Sequence, residues 1–114
     1  LIMLWGDISM KELIENTLKS VGIEVNFLER VGNEYPQLVY TFNEYPNSSG
    51  DNREETALYD IYLNLYIESD IDSTVNKIKS ELEKAHFKKV AINSPIKFEK
   101  VNYYQITMNY KKIM

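Results

Sequence analysis

Residues 57–68 have the sequence ALYDIYLNLYIE, and this stretch constrains the architecture more than any other part of the chain. Every second side chain in it is aliphatic or aromatic, namely Tyr59, Ile61, Leu63, Leu65 and Ile67. The intervening side chains form a mixed set, namely Leu58, Asp60, Tyr62, Asn64 and Tyr66. Because side chains alternate between the two faces of a β-strand, the pattern predicts a long strand with one face on a core and an amphipathic second face.

Two helices are predicted, one before and one after this strand in the sequence. Residues 9–21 carry a stripe at three- and four-residue spacing, formed by Met10, Leu13, Ile14, Thr17, Leu18 and Val21. Residues 72–86 carry a narrower stripe, formed by Val75, Ile78, Leu82 and Ala85. Ser9 and Glu12 have capping-box spacing, and Asp72 or Ser73 is expected to cap the second helix. Each helix therefore has one apolar face to bury.

Shorter alternating stretches predict the remaining strands. Residues 23–30 and residues 38–43 are expected to form two strands connected by a turn at Gly32-Asn33, with Pro46 lying beyond the second strand. After the second helix, residues 87–92, 96–101 and 104–110 are expected to be extended, the middle segment as a short strand. Residues 44–56 combine turn-forming and charged residues, and they predict an exposed loop between the second and third strands.

The predicted order of elements is α-β-β-β-α-β-β. The simplest packing is an α+β fold, in which a mixed or antiparallel sheet of about four to six strands carries both helices on one face. No internal repeat or linker interrupts the chain, so residues 9–114 are expected to form a single α+β domain with an exposed loop at 44–56. Residues 1–8 are expected to form an N-terminal arm, which can be flexible.

Composition argues against several classes of function. The 114 residues carry a net charge of −4, whereas a nucleic-acid reader usually carries a basic patch. The chain has no cysteine, which removes disulfides, thiolate zinc sites and cysteine nucleophiles. The apolar run from Leu1 to Trp5 is too short for a signal peptide or a membrane span, so a cytoplasmic protein without membrane contact is expected.

Two patterns could suggest catalysis, and neither is convincing. Residues 70–74, DIDST, resemble the Asp-x-Asp-x-Thr motif of haloacid-dehalogenase-like phosphotransferases, in which Asp70 would be the nucleophile and Asp72 the acid/base. That motif follows an early strand of a much larger fold, and here it sits past the middle of the chain, where a strand ends and a helix begins. His86 is the only histidine, at a predicted helix end among lysines, so a triad or histidine metal site is not expected.

The acidic loop residues Asp51, Glu54 and Glu55 lack the ligand spacing of a calcium loop. The sequence therefore predicts no catalytic residues, no cofactor and no metal site, and the protein is expected not to be an enzyme.

The nine tyrosines are more informative, because tyrosine is enriched at protein interfaces. Tyr62 and Tyr66 lie opposite the core-facing set and are the best contact candidates, although strand propensity alone also explains tyrosines in a sheet.

The layout of residues 9–110 carries a further signal. An amphipathic helix precedes hairpin strands and a loop, and residues 58–66 (LYDIYLNLY) follow. The helix at 75–85 (VNKIKSELEKA) and the closing stretch 98–110, which ends in YYQITMNY, complete the layout. This layout resembles that of the tail terminator, or tail completion, proteins of tailed phages and related prophage particles. Members of that family are small α+β domains that assemble as a ring, usually of six subunits, at the end of the tail tube.

The resemblance implies a structural protein that ends tube polymerisation and contributes to attachment of the head or collar. Its partners would be further copies of itself in a ring, the tail tube or sheath protein and a head-tail connector protein, while DNA would pass without specific binding. It would be found in the cytoplasm of the host bacterium during assembly and then in the virion or tail-like particle. The implied contact residues are Tyr62, Tyr66, Asn47, Asp51, Arg53, Glu54 and Glu55. Residues 1–5 are not part of the resemblance, and Trp5 is a separate contact candidate on an arm that could dock.

Two other functions remain compatible with the sequence. The first is a small interaction or regulatory domain that holds a partner or ligand on its sheet face or edge. The second is an enzyme, such as a carboxylate-based hydrolase, whose site the motifs do not reveal. A ligand-binding domain would have an apolar pocket with a few convergent polar groups, and an enzyme would have titratable groups with shifted pKa values in a cleft.

Overall fold

The computed structural model describes residues 9–32, 34–47 and 56–114, and these residues contain two α-helices and five strands. Helix α1 (Met10–Leu18) continues into a 3₁₀ turn at Lys19–Val21 and is followed by β1 (Glu24–Phe27), β2 (Gln37–Asn47) and β3 (Thr56–Ile67). Helix α2 (Ile71–Lys84), β4 (Lys88–Ile92) and β5 (Tyr104–Ile113) complete the order. The predicted α+β fold and the order α-β-β-β-α-β-β are confirmed.

The strands form one mixed sheet in the order β1-β2-β3-β5-β4. Strand β3 lies at the centre and pairs antiparallel with β2 on one side and with β5 on the other along nearly its whole length. Strand β4 pairs antiparallel with β5, while β1 pairs parallel with β2. The two edges of the sheet are therefore β1 and β4.

The core lies between both helices and one face of this sheet, as the alternation in residues 57–68 predicted. Ile61, Leu63, Leu65 and Ile67 are at most 2% exposed, and Tyr59 is half-buried. They pack with buried residues of both helices and of the other strands, namely Met10, Ile14, Leu18, Val21, Leu38, Tyr40, Ile78, Leu82, Phe87, Ile106, Met108 and Tyr110. Burial of one such aliphatic side chain contributes roughly 1.5–3 kcal/mol, so this face specifies the register of the central strand.

Polar contacts fix both helices against the sheet. The hydroxyl of buried Tyr40 donates to the Glu15 carboxylate of α1 at 2.5 Å. At the other end of the sheet, the Lys112 ammonium donates to the Ala85 carbonyl at 2.8 Å, just past the last turn of α2. Positive charge at a helix C-terminus is favourable, and a carbonyl that the helix leaves unpaired is satisfied.

Both ends of the loop predicted at residues 44–56 are strand instead, because β2 continues to Asn47 and β3 begins at Thr56, while residues 48–55 lie outside the described residues. Pro46 lies within β2, opposite Ala57, although the sequence placed it beyond the strand. The backbone N–H and C=O of Ala57 bond to Met114, and β1 pairs only with residues 37–40 of β2. Pro46 has no N–H to donate, but in the described part of the chain no ladder hydrogen bond is lost, because no backbone acceptor requires one at this position. A strand tolerates proline at such a position.

The first two strands do not form the hairpin expected from the resemblance. Strand β1 ends at Phe27, not near Arg30, and runs parallel to β2. Residues 28–36 return the chain to the start of β2, although parallel strands usually need a connection of about a dozen residues or more. Leu28 begins this return with a positive φ of 74°, and Gly32 also has a positive φ, of 66°.

Two further boundaries differ from the predictions. Asp70, and neither Asp72 nor Ser73, is the N-cap of α2, and it adopts a left-handed conformation that aspartate tolerates better than most residues. Between β4 and β5, the expected short strand at 96–101 is reduced to a single bridge between Ile96 and Gln105. No helix in the described ranges has the length and apolarity needed to cross a bilayer.

Candidate functional site

The face of the sheet opposite the helices carries most of the polar and aromatic side chains that the core does not use. It is termed the open face and consists of alternate residues of the three central strands, namely Val39, Thr41, Asn43, Tyr45, Leu58, Asp60, Tyr62, Asn64, Tyr66, Gln105, Thr107, Asn109, Lys111 and Ile113. The period of two that buries Leu63 in the core puts these residues on the other side. In the described part of the chain, both helices pack on the core side, so helices leave this face uncovered.

Hydrogen bonds between neighbouring strands hold the polar side chains of the open face in place. The Asn64 side-chain oxygen accepts from the Thr107 hydroxyl at 2.8 Å and from the Gln105 amide at 3.1 Å. The Asn109 amide donates to Asp60 at 2.7 Å and to the Ile61 carbonyl at 3.0 Å. These bonds tie β3 to β5, so a partner would meet side chains that are already ordered.

Asp60 and Tyr62 form the most exposed polar pair of this face. The Tyr62 hydroxyl donates to the Asp60 carboxylate at 2.8 Å. The hydrogen bond from Asn109, with help from Tyr62, holds the pKa of the Asp60 carboxyl below its ordinary value of 3.8. The same carboxylate raises the pKa of the Tyr62 hydroxyl, because the neutral phenol is the donor. Tyr62 is 36% exposed, so its ring remains available for contact.

At one end of the open face, Arg30 lies among three tyrosine rings. Its guanidinium carbon is 4.8 Å from the ring centre of Tyr66, 5.0 Å from that of Tyr103 and 5.6 Å from that of Tyr35. The guanidinium also donates to the Tyr35 hydroxyl at 3.2 Å, and the rings of Tyr35 and Tyr103 stack at 4.9 Å. Each cation–π contact contributes about 0.5–1 kcal/mol at such a site. The cluster fastens residues 28–36 to β3 and to the start of β5.

The side chain of Gln37 also holds the segment between β1 and β2 in place. This side chain is fully buried, and its oxygen accepts from the Val31 N–H at 2.6 Å and from the Asn26 amide at 3.2 Å. Its amide nitrogen donates to the carbonyls of Val31 and Glu34 at 3.1 and 3.2 Å. A single glutamine thereby binds the backbone of Val31 and Glu34, neither of which belongs to a strand, and this explains how so short a connection keeps a defined shape.

The structure brings together only part of the predicted contact set. Tyr62 and Tyr66 share the open face, but Tyr66 is half-buried and packs against Arg30, so it is less available than Tyr62. Asn47 is the last residue of β2, and its side chain is outside what the structure describes. Asp51, Arg53, Glu54, Glu55 and Trp5 lie outside the described residues.

Three exposed or clustered groups were missed by the sequence analysis. Tyr45 and Ile113, 46% and 56% exposed, flank Leu58 in one cross-strand row of the open face. The alternation Thr41, Asn43, Tyr45 would have revealed Tyr45 if the strand had been continued through Pro46. The packing of Arg30 on Tyr66 and Tyr103 had no signal in the sequence, because those two tyrosines are far from Arg30 along the chain.

The patterns considered for catalysis have structural roles. Asp70 occupies the N-cap position of α2, where its carbonyl accepts from the Thr74 N–H and its side chain makes no capping hydrogen bond, and Asp72 lies in the first turn. His86, with a positive φ of 65°, follows the last turn of α2, where its N–H bonds to Glu83 while the N–H of Phe87 bonds to Leu82. This is the paired hydrogen-bond arrangement that ends many helices. The described ranges contain no cluster of three or more His, Cys, Asp or Glu side chains with the geometry to hold a metal ion.

One open depression, of about 380 Å³, adjoins the arginine–tyrosine cluster. It is lined by Tyr35, Glu68, Val101, Asn102 and Tyr103. A second lies beside the β2–β3 hairpin, lined by residues that include Tyr45, Pro46 and Met114. Both open to solvent along the surface, so neither has the enclosed apolar shape that a small-molecule site usually needs.

Comparisons with known proteins give little guidance. No protein-family model matches the chain, and no curated protein is significantly similar to it in sequence. Among solved structures, one chain of the "Virion of native gene transfer agent (GTA) particle" is similar, with a TM-score of 0.43 and 11% sequence identity over 87% of this chain and 81% of that chain. A likeness of that degree carries no conclusion about function, which must come from the residues of this chain.

Proposed function

We propose that this protein is a structural assembly protein of a tailed phage or phage-tail-like particle, and that it caps the end of the tail tube as a ring without catalysing a reaction. The single observation that supports an assembly role is the open face, a surface ordered by cross-strand hydrogen bonds on which Tyr62, Tyr45 and Ile113 are exposed. The particular role as a tail terminator comes from the resemblance of the sequence layout to that family.

The chemistry of the open face suits protein contact better than ligand capture. Tyrosine supplies apolar area and one hydrogen-bonding hydroxyl while losing few rotamers on binding. The hydrogen-bonded side chains between β3 and β5 are already immobilised, so less conformational entropy is lost when a partner docks. In this proposal one surface of each subunit complements the tube, and the ring presents no second such surface, so growth stops.

DNA passage fits the same proposal. The chain has a net charge of −4, and charge repulsion disfavours retention of a polyanion inside a ring. The open face adds amides and hydroxyls with only scattered charges, which cannot neutralise a row of phosphates. The ring would join the head-tail connector on its far side, as the resemblance implies.

The test is native mass spectrometry of the chain with and without the purified tail-tube protein of the same particle. We expect a ring of copies alone or on the tube end. Tyr62→Lys should weaken tube binding by about tenfold or more, because it places a charge at the centre of the contact surface. Asn76→Lys, which introduces the same charge on the exposed side of α2, is the matched control and should bind like the wild type.

Two results would contradict the proposal. One is a chain that stays monomeric and ignores tube protein at every concentration tested, which would favour a ligand-binding or regulatory domain. The other is equal loss of binding in both lysine variants, which would mean that the open face is not the contact surface.

A further inference from the structure

The two edges of the sheet differ from each other in charge. Among the described residues, strands β1 and β4 each have a sheet neighbour on one side only, so part of their backbone N–H and C=O groups has no ladder partner there. Such an edge is a template for pairing with another strand unless it is guarded. Of the eight large apolar side chains that are exposed in the described residues, five belong to these strands or to the segments that directly follow them in the sequence, namely Leu28, Val31, Val90, Ile96 and Phe98.

The β4 edge is basic. Lys88 and Lys89 are exposed. The next residue, Val90, is 48% exposed and lies at an irregularity in the pairing register of β4 with β5. Lys88 also lies directly opposite Lys111 of β5, and like charges in that arrangement repel. Lysines on an edge strand often serve only to prevent aggregation, but here they accompany exposed apolar side chains that a guarded edge does not need.

The β1 edge is acidic. Glu24 on β1 and Glu29 just after it are exposed, beside Leu28 and Val31, which are 64% and 57% exposed. The two nearby cations have other contacts, since Lys11 lies over the Phe27 ring and Arg30 lies among the tyrosines. The ion pair found in the described residues joins Lys84 to Glu81 on α2, so Glu24, Glu29, Lys88 and Lys89 form none there.

We propose that the basic β4 edge of one copy docks on the acidic β1 edge of the next copy, so that the sheet continues from subunit to subunit. This inference rests on the proposed ring and names its contact. Strands β1 and β2 run in the same direction, and β4 runs in the opposite direction. When two copies in the same orientation are placed side by side, β4 of one copy therefore lies antiparallel to β1 of the next. Such a head-to-tail contact closes into a ring by rotation, and closure leaves no edge unpaired.

A second copy is the occupant that the charges favour. The two complementary edges belong to the same chain, and each is used once per subunit in a closed ring. Two copies related by a two-fold axis would instead place β4 against β4 and bring Lys88 and Lys89 of both copies together, which is unfavourable at short range.

Charge reversal tests this contact in the absence of tube protein, with the association state measured by analytical ultracentrifugation. The variant K88E/K89E and the variant E24K/E29K should each raise the dissociation constant for self-association by about 100-fold, because each places like charges across the contact. An equimolar mixture of the two variants should restore assembly. One variant then has two acidic edges and the other has two basic edges, so a ring in which the variants alternate brings opposite charges together at every contact. The control K77E/K79E makes the same change in net charge as K88E/K89E, but on α2, and should assemble like the wild type.

The outcomes separate this contact from the proposed role. Rings that form, bind tube protein and are indifferent to reversal at both edges would overturn the edge contact and leave the terminator role standing. Self-association that follows the charge pattern without any binding to tube protein would support the edge contact and overturn the role. Absence of rescue in the mixture, with both variants folded by circular dichroism, would also overturn the edge contact.

Discussion

Replacement of Gln37 by methionine should loosen the segment that connects the two parallel strands. Gln37→Met keeps the length and approximate volume of the side chain, so no cavity is created around it on the open-face side of the sheet. It removes all four hydrogen bonds that the amide makes to Asn26, Val31 and Glu34. Three of those bonds hold Val31 and Glu34, which belong to no strand, so the loss falls mainly on one local segment.

The expected magnitude follows from those bonds. Four hydrogen bonds with a net value of about 1 kcal/mol each give an upper value of about 4 kcal/mol. Val31 and Glu34 are exposed, so water replaces part of the loss at their backbone groups, and we expect roughly 2–3 kcal/mol. The entropy of unfolding is about 2.1 cal/mol/K per residue, or roughly 0.24 kcal/mol/K for 114 residues, so the Tm should fall by roughly 8–12 °C.

Urea unfolding followed by circular dichroism measures the change, and amide hydrogen exchange locates it. The Val31 amide should lose its protection in Gln37→Met, while amides of β3 exchange as in the wild type apart from the global change in stability. The control is Gln105→Met on the same sheet face, where the amide makes one side-chain bond, to Asn64, and the loss should be about 1 kcal/mol or less. Equal midpoints for wild type and Gln37→Met would refute the idea that this glutamine holds the segment.

Three further predictions concern the core, the arginine cluster and pH. Leu63→Ala leaves a cavity in the fully buried centre of β3 and should reduce the free energy of unfolding by about 2–5 kcal/mol in urea titrations, whereas a loss below 1 kcal/mol would contradict the packing. Arg30→Lys keeps the charge but loses the planar stacking, so it should lower stability by about 1 kcal/mol, and wild-type stability would speak against the cluster. Asp60 has a lowered pKa in the fold, chiefly through Asn109, so its stabilising effect is complete above the unfolded pKa and is lost as pH falls through the folded pKa. The stability advantage of the wild type over Asp60→Asn should therefore shrink as urea midpoints are measured from pH 6 towards pH 3, and a constant difference would exclude this linkage.

Much of the candidate surface was visible in local patterns. The alternation in residues 57–68 separated Leu63, which is buried, from Tyr62, which is exposed on the opposite face. The hydrogen bonds that order that face were not visible, because Asp60 and Asn109 are brought together only by the pairing of β3 with β5. The same holds for the packing of Tyr103 on Arg30, which joins residues from opposite halves of the chain.

Local patterns in the sequence predicted both helices, the main strands and the side that each of them buries, because the periods of helices and strands depend on neighbours a few residues away. Regular alternation over residues 57–68 also predicted one long strand with a core face, while its central position in the sheet emerged only from the strand order. Tertiary structure alone decided that β1 and β2 are parallel, that Pro46 lies within a strand and that the acidic and basic edges lie at opposite ends of the sheet. These features depend on which strands become neighbours, and that choice is made by burial of the whole sheet face under both helices, which no local pattern records.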